Sequence, residues 1–580
     1  MRDQKLENLL NLALDASPED FQRSEALQTG FNEESRTWEL IVRYTGDLSV
    51  VEQFGAEKEE LLNGYGIITV PEKYVDAVSS LNQIEYVEKP KRLFFALNEG
   101  KQASCLSGVQ TGKGPLGGGD QTGRYNLTGK GVLTAIIDTG IDYLHPDFRN
   151  PDGTTRIVEL WDQDLERVFS SEDINEAIAA AEERGREAGK TVVPSQDSSG
   201  HGTAVAGICA GNGRAGNGRY RGVAYESSLL VIKLGTPKRE GFPRTTELMR
   251  ALNYAVVKGV RLDMPLVINI SIGNTYGSHD GTSLLETFIS DISGYGKTTI
   301  VVGTGNEGAS GGHTSGQAVP EMEEEIEFLI APYETGLGLQ LWKNYADIFT
   351  IALITPEGES SGPIDSRLGP QTLNYRRTRV LLYYGKPSPY SQAQEIYFDF
   401  IPVRDYLDSG VWKIRLTPRQ VVNGQYDLWL PSRNVLNPAT GFLYGNPDTT
   451  LTIPSTAMRV ISVGAYNSSY QSYADFSGRG FNRNGLVKPD LAAPGVNITA
   501  PSPLGGYETF TGTSFAAPFV TGSAALLAQW GVVEGNDPFL YGEKIKAYLM
   551  RGAKRLPGYE MWPNPLLGYG ALCVRDSLPV

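Results

Sequence analysis

The sequence predicts an α/β fold built on a parallel sheet flanked by helices, with a small α+β module before it and an all-β insertion within it. Two observations predict the sheet. Near-continuous apolar runs such as GVLTAIID and TTIVVGTG recur along the chain, and segments with helical spacing such as TTELMRALNYAVVKG lie between them. A third observation predicts the insertion, because strand-like runs separated by turn residues dominate residues 317–450.

The chain is predicted to form four segments, since 580 residues exceed the size of one ordinary domain. Residues 1–97 are predicted to form the α+β module. In it, strand-like runs at Thr37–Tyr44 and Tyr65–Val70 are followed by helical spacing over Pro71–Leu81, which opens with a Pro suited to a first helical position. The insertion is predicted to be a β-sandwich. The α/β domain that it splits is predicted at residues 98–316 and 451–580.

Composition and the N-terminal residues limit the classes to which the protein can belong. The net charge of −15 argues against general nucleic-acid binding, which needs clustered positive charge. Three Cys are too few for a disulfide framework. They also lack C-x-x-C spacing, and the four His lack H-x-x-x-H spacing, so a metal site of these residues is not expected either. The N-terminus has no apolar core and no run of ~18 apolar residues occurs, so neither a signal peptide nor a membrane span is expected.

Three local motifs carry residues suited to nucleophilic catalysis. Asp138 ends a buried strand in IIDTGID, His201 begins a small-residue helix in DSSGHGTAVAGICAG, and Ser514 begins another helix in FTGTSFAAPFVTG. Each residue has an ordinary explanation alone, since an Asp can occupy a turn, a His beside Gly can lie in a loop, and a Ser can cap a helix. Their occurrence together in the order Asp–His–Ser favours a catalytic triad.

These motifs, with their order and neighbours, resemble the subtilisin-like serine protease family. The resemblance implies that Ser514 attacks the peptide carbonyl, that His201 takes and returns the proton, and that Asp138 orients the imidazole. A fourth motif, GTGNEG, carries Asn306 where the family has the asparagine that stabilises the oxyanion.

The same resemblance implies two substrate-binding walls and one candidate metal ligand. SIGN is similar to the strand that pairs with the substrate, and GTGN is similar to the opposite wall of the pocket. The wall residues are Ser271, Ile272 and Gly273 on one side, and Gly303, Thr304 and Gly305 on the other. HPDF resembles a segment whose Asp often binds calcium, which makes Asp147 a candidate ligand. The companion loop GNGRAGNGRYRG is a poor match, so no cofactor is expected to be required.

The layout of the segments is similar to that of the clostridial Csp germination proteases. That resemblance implies that residues 1–97 are a propeptide, a chaperone and inhibitor that stays bound after self-cleavage, and that the insertion is a jelly roll that clamps it. It also implies a bacterial, spore-associated protein whose substrate is a cortex-lytic pro-enzyme; otherwise we expect a cytoplasmic protein or one exported without a signal peptide. Cleavage is expected in a window formed by Phe95, Ala96, Leu97, Asn98, Glu99, Gly100, Lys101, Gln102, Ala103 and Ser104.

Three alternatives remain open at this point. In the first alternative, the N-terminal module is a permanent accessory domain. The second is an aspartic protease built on the DTG at Asp138 and the DSG at Asp408, which requires two matched buried loops and leaves His201, Asn306 and Ser514 without a role. The third is a protease fold locked by its propeptide that works as a sensor or scaffold.

Overall fold

A computed structural model of the chain describes residues 5–95, 125–237, 241–364 and 369–579. The chain divides into two compact units. The first contains Met1–Arg92, Asn274–Phe288 and Glu307–Ile453. The second contains Leu93–Gly273, Ile289–Asn306 and Pro454–Val580.

Helices of the described residues are numbered in chain order. They are α1 (Asn8–Asp15), α2 (Pro18–Arg23), α3 (Glu25–Gln28), α4 (Val75–Ser79), α5 (Ser171–Arg184), α6 (Arg186–Val192), α7 (His201–Ala210), α8 (Thr245–Arg261), α9 (Leu284–Ile292), α10 (Thr513–Ala528), α11 (Glu543–Gly552) and α12 (Val574–Ser577).

The N-terminal module is an antiparallel sheet with short helices. Its strands are β1 (Phe31–Asn32), β2 (Thr37–Tyr44), β3 (Glu57–Leu61), β4 (Tyr65–Pro71) and β5 (Ile84–Glu88). They are ordered β1-β2-β4-β3, with β5 on β2. The helix predicted over Pro71–Leu81 is shorter than expected, because Pro71 ends β4 and a 3₁₀ turn at Glu72–Tyr74 precedes α4.

The second unit is built around the predicted parallel sheet. Its strands are β6 (Phe94–Phe95), β7 (Leu133–Asp138), β8 (Ile157–Asp162), β9 (Arg167–Ser170), β10 (Ser228–Lys233), β11 (Leu266–Ile270), β12 (Ile272–Gly273) and β13 (Thr298–Gly303), followed after the insertion by β24 (Ile461–Asn467), β25 (Ser472–Tyr473), β26 (Leu491–Pro494), β27 (Ile498–Ser502) and β28 (Gly506–Phe510). The order β24-β13-β11-β7-β10-β8 is parallel throughout, and β26 also pairs with β24 in parallel.

The register of the central strands brings three chain segments to one edge of this sheet. Ile270 is paired with both Ile137 and Val302, so Asp138, Ser271 and Gly303 follow at the same level. Ligand sites of open α/β sheets lie at the carboxyl ends of the strands, which is this edge.

Helix α10 is the apolar core helix of this unit. With the π-helical turn that continues it, the stretch Thr513–Val533 is long and apolar enough to cross a membrane by length and composition alone. However, 83% of its most apolar window is buried inside the fold, as is typical of the core helix of a globular domain.

The insertion is the predicted sandwich of two antiparallel sheets. Its strands are β14 (His313–Gln317), β15 (Glu324–Ile330), β16 (Leu337–Asn344), β17 (Ile348–Ile354), β18 (Gly369–Asn374), β19 (Thr378–Tyr384), β20 (Ala393–Pro402), β21 (Gly410–Gln420), β22 (Gln425–Trp429) and β23 (Gly441–Phe442). One sheet has the order β14-β22-β16-β20-β19-β18 and the other β17-β21-β15-β23. Apolar side chains of both sheets share one core, which includes Phe328, Phe398 and Trp412.

The N-terminal module packs on the insertion within the first unit. Their shared apolar cluster combines core residues of the module with four residues of β19 and β20. Those four are Leu381, Tyr383, Tyr397 and Ile401. Side chains point alternately to the two faces of β19 and β20. One face therefore packs in the core of the sandwich, and the other is covered by the module.

Candidate active site

Asp138 and His201 form a buried pair at the carboxyl edge of the parallel sheet. Asp138 is the last residue of β7 and His201 the first of α7. The distance from Asp138 Oδ1 to His201 Nδ1 is 2.6 Å, and their side chains are 0% and 1% exposed. A carboxylate at Nδ1 favours the tautomer protonated there, which makes Nε2 the basic nitrogen of the ring.

Asp197 is a positioning residue to which the sequence motifs assigned no role. Its Oδ1 accepts the Gly200 N–H at 2.9 Å and the Thr139 hydroxyl at 2.8 Å, and its Oδ2 accepts the Thr203 N–H at 2.8 Å. One buried carboxylate therefore joins the turn that precedes His201, the first turn of α7, and the residue that follows Asp138. Its place four residues before the His was the only available signal.

Ser514 lies in the first turn of α10, beside the predicted substrate strand and the histidine. Its hydroxyl donates to the Ser271 carbonyl at 2.9 Å, and the Ser271 hydroxyl donates to the Ser514 carbonyl at 3.0 Å. The ring of Phe515, the next residue, lies 5.2 Å from the His201 ring between centroids. The structure thus brings Ser514 to the same edge of the sheet as the Asp138–His201 pair.

Asn306 is held by the residue before Ser514. Its Oδ1 accepts both the backbone N–H and the hydroxyl of Thr513, each at 3.2 Å. Because both donors occupy the oxygen side of the planar amide, the Nδ2 side is directed away from Thr513. Gly303 allows this approach, since a Cβ there would lie 3.1 Å from the Thr513 carbonyl oxygen.

The predicted substrate strand already pairs with the chain's own N-terminal segment. Strand β12 is antiparallel to β6, with Ile272 opposite Phe95 and Gly273 opposite Phe94. On the other side, the Leu93 N–H donates to the Pro243 carbonyl at 2.8 Å. Residues 93–95 therefore lie between two backbone partners, as an added β-strand does.

The opposite predicted wall directly follows β13. Thr304 is fully buried and its N–H donates to the Val463 carbonyl at 3.1 Å, while the Gly305 carbonyl accepts the Gly478 N–H at 2.8 Å. Gly305 has φ +80°, a conformation that favours glycine. Within the predicted cleavage window, Phe95 ends β6, and Ala96 to Ser104 lie outside the described residues.

Asp147, the candidate calcium ligand, accepts hydrogen bonds from protein donors. Its Oδ1 accepts the Ala215 N–H at 2.9 Å and its Oδ2 accepts the Tyr507 hydroxyl at 2.8 Å. Burial and this hydrogen bond raise the pKa of Tyr507 above its usual range, so the phenol remains a donor. Each oxygen of this carboxylate thus has a protein donor, whereas a calcium ligand directs its oxygens at the cation. Over the described ranges, no group of three or more His, Cys, Asp or Glu side chains could hold a metal ion.

Family models and related proteins match both the α/β segments and the N-terminal module. The subtilase family model matches residues 129–326 and 437–570, which is more than half of the chain. The Csp protease B prodomain model matches residues 4–91.

Among solved structures, the Clostridium perfringens CspB protease is 38% identical with a TM-score of 0.75, over 82% of this chain and 95% of that one. Among curated proteins, the minor extracellular protease Vpr of Bacillus subtilis is 23% identical over 80% of this chain and 53% of that protein. The PII-type proteinase of Lacticaseibacillus paracasei is 24% identical over 72% of this chain and 23% of that protein. The chain thus spans about a quarter to a half of the length of these curated relatives. On these matches, the chain belongs to the subtilase family and carries an N-terminal region of the Csp protease B prodomain type.

Proposed function

We propose that the protein is a serine endopeptidase that uses an Asp138–His201–Ser514 triad and cleaves its own chain before it cleaves a protein substrate. The observation that carries this proposal is the buried 2.6 Å contact between Asp138 and His201, beside the helix that begins with Thr513 and Ser514. Family membership supports the reaction class.

Proton transfer begins at Ser514. Rotation about its Cα–Cβ bond exchanges the hydrogen bond to the Ser271 carbonyl for one to His201 Nε2. His201 then takes the proton as the oxygen attacks the substrate carbonyl, and Asp138 stabilises the imidazolium through Nδ1. The imidazolium returns the proton to the leaving amine, and water hydrolyses the acyl-enzyme by the same steps.

Two donors stabilise the oxyanion that forms on attack. The Asn306 amide nitrogen is one, because its oxygen is held by Thr513. The Ser514 backbone N–H, in the first turn of α10, is the other, and the helix dipole there also favours negative charge.

Self-cleavage occurs in the Phe95–Ser104 window. The register of β6 on β12 supports the N-terminal end of this window. Phe95 is opposite Ile272, the residue directly after Ser271, whose carbonyl accepts the Ser514 hydroxyl. The residue whose carbonyl Ser514 attacks is therefore expected shortly after Phe95 in the sequence.

The test compares the wild-type chain with Ser514→Ala. Wild type is expected to appear as two fragments, the prodomain and the remainder, and the variant as one chain. N-terminal sequencing of the larger fragment then identifies the bond. If both proteins remain intact, self-processing does not occur and the proposed function fails.

After cleavage the prodomain stays bound as the protein's own partner. The apolar cluster shared with β19 and β20 supports this, and so does the Arg23 guanidinium of the prodomain, which donates to the Pro402 carbonyl at 3.0 Å and the Val403 carbonyl at 2.6 Å on the insertion. We extend the proposal to a spore-associated protease that activates a cortex-lytic pro-enzyme in germination, supported by the similarity to the clostridial CspB protease. Incubation of the processed protein with such a zymogen should yield one new N-terminus that Ser514→Ala does not produce.

A propeptide-locked sensor or scaffold is the second candidate, because β6 pairs with the edge of β12 to which a substrate would bind. It predicts self-cleavage without hydrolysis of any added protein. The aspartic protease has less support, since Asp138 contacts His201 while Asp408 belongs to the other unit and accepts the Arg377 N–H at 2.9 Å.

A further inference from the structure

Phe94 is held by an aromatic contact in addition to its backbone pairing. Its side chain is 6% exposed. Its ring centroid lies 4.8 Å from that of Phe242, with an angle of 67° between the planes. This edge-to-face arrangement is a favourable geometry for two aromatic rings, beyond the area that they bury.

Backbone pairing alone cannot select a side chain at this position. Phe94 is opposite Gly273, which has no side chain with which to contact it. Strand addition provides affinity through main-chain hydrogen bonds, and selectivity arises from the pockets that flank the strand. Phe242 is such a flanking group.

Phe242 lies in a segment that hydrogen bonds link to the bound strand and to the start of α8. Pro243 follows it, and the Pro243 carbonyl accepts the Leu93 N–H at 2.8 Å, so the segment that carries the ring also binds the strand. Arg244 then precedes α8, where its N–H donates to Glu247 Oε2 at 3.0 Å and its guanidinium donates to Glu247 Oε1 at 2.7 Å. The two residues that follow Phe242 are thus held by the strand and by the helix, and support of this kind from neighbouring residues favours a selective contact.

We propose that Phe242 determines substrate specificity by selecting an aromatic side chain at the position that Phe94 occupies. The substrate class is an extended peptide segment with Phe, Tyr or Trp at that position. This inference rests on the proposed function, because a segment bound on the substrate strand represents what the site accepts.

The experiment is a double-mutant cycle on the rate of self-processing. Full-length wild type, Phe94→Ala, Phe242→Ala and the double variant are refolded, and the appearance of the two fragments is followed. Each single variant is expected to process about threefold to tenfold more slowly, the rate equivalent of one aromatic pair. The double variant should be no slower than either single variant, and Phe94→Tyr should process at the wild-type rate. Phe539→Ala removes an exposed aromatic ring and serves as the control.

Additive effects of the two Ala substitutions would overturn the inference, as would a rate for Phe94→Ala equal to that of wild type. The same cycle in the Ser514→Ala chain, read from urea unfolding, measures the ring contact without catalysis, and an absence of coupling there would also overturn it. Failure of wild type itself to process contradicts the proposed function instead, and the unfolding cycle still decides whether the aromatic contact holds the strand.

Discussion

Glu395 provides a test of the electrostatics that hold the prodomain on the insertion. It lies on β20 and is 6% exposed. Its Oε2 accepts the Asn8 side-chain N–H of the prodomain at 3.2 Å, and its Oε1 accepts the Gln340 side-chain N–H at 3.0 Å. Burial raises the pKa of Glu395 to about 7, and the negative charge of the nearby Glu7 adds to this effect. The positive charge of Lys91 opposes it in part.

The sign of the pH dependence follows from this raised pKa. The unfolded chain loses the Glu395 proton near pH 4.5, whereas the folded chain keeps it up to about pH 7. Raising the pH through this window therefore stabilises the unfolded state relative to the folded one. From about pH 5 to 8 the loss amounts to about 2–3 kcal/mol, since each pKa unit corresponds to ~1.4 kcal/mol.

The assay compares Glu395→Gln with its parent in the single-chain Ser514→Ala background. Gln keeps the size and hydrogen-bonding shape of the protonated acid but cannot ionise. The difference in urea unfolding free energy, variant minus parent, should increase by about 2–3 kcal/mol between about pH 5 and 8. Asp399, whose pKa burial also raises to about 7, is present in both chains and cancels in the difference. A difference that stays flat with pH would refute the reasoning, and Glu357→Gln at an exposed position is the matched control.

Three further predictions concern the α/β unit. Asn306→Ala should slow self-processing by about 10²–10³-fold with normal folding, because one oxyanion donor is lost; unchanged processing would contradict its role. Asp138→Asn should slow processing by about 10⁴-fold, since an amide favours the wrong tautomer of His201, and a pH–rate profile of processing checks this. A chelator should leave the melting temperature unchanged, because protein donors satisfy Asp147, whereas Tyr507→Phe should lower stability by about 1–2 kcal/mol; a calcium-dependent rise in melting temperature would contradict this.

Local patterns predicted the central strands well because buried parallel strands are apolar along their whole length. The runs around β7, β11 and β13 all became strands of one sheet. Helix boundaries were less predictable, since they depend on single backbone conformations. The stretch INEAIAAAEERGREAG has helical spacing throughout, for example, yet it divides into α5 and α6 at Gly185, which has φ +87°.

The residues of the candidate site also differ in how well the sequence predicts them. Asp138, His201, Ser514 and Asn306 each lie in a local motif, so the sequence could point to them. The roles of Asp197 and Thr513 depend on which N–H groups and oxygens the fold brings near, and the position of Asp197 four residues before His201 does not reveal those partners. The aromatic contact of Phe242 with Phe94 joins residues 148 positions apart, so local sequence patterns could not predict it either.

The pairing of β6 with β12 affects how activity would depend on protein concentration. While the chain is continuous, the strand is present at its own site at an effective concentration that can reach the millimolar range, which a dilute competitor cannot match. Once the chain is cut, occupancy becomes an ordinary bimolecular equilibrium between two fragments. The activity per molecule should then rise on dilution and fall when the isolated prodomain is added back.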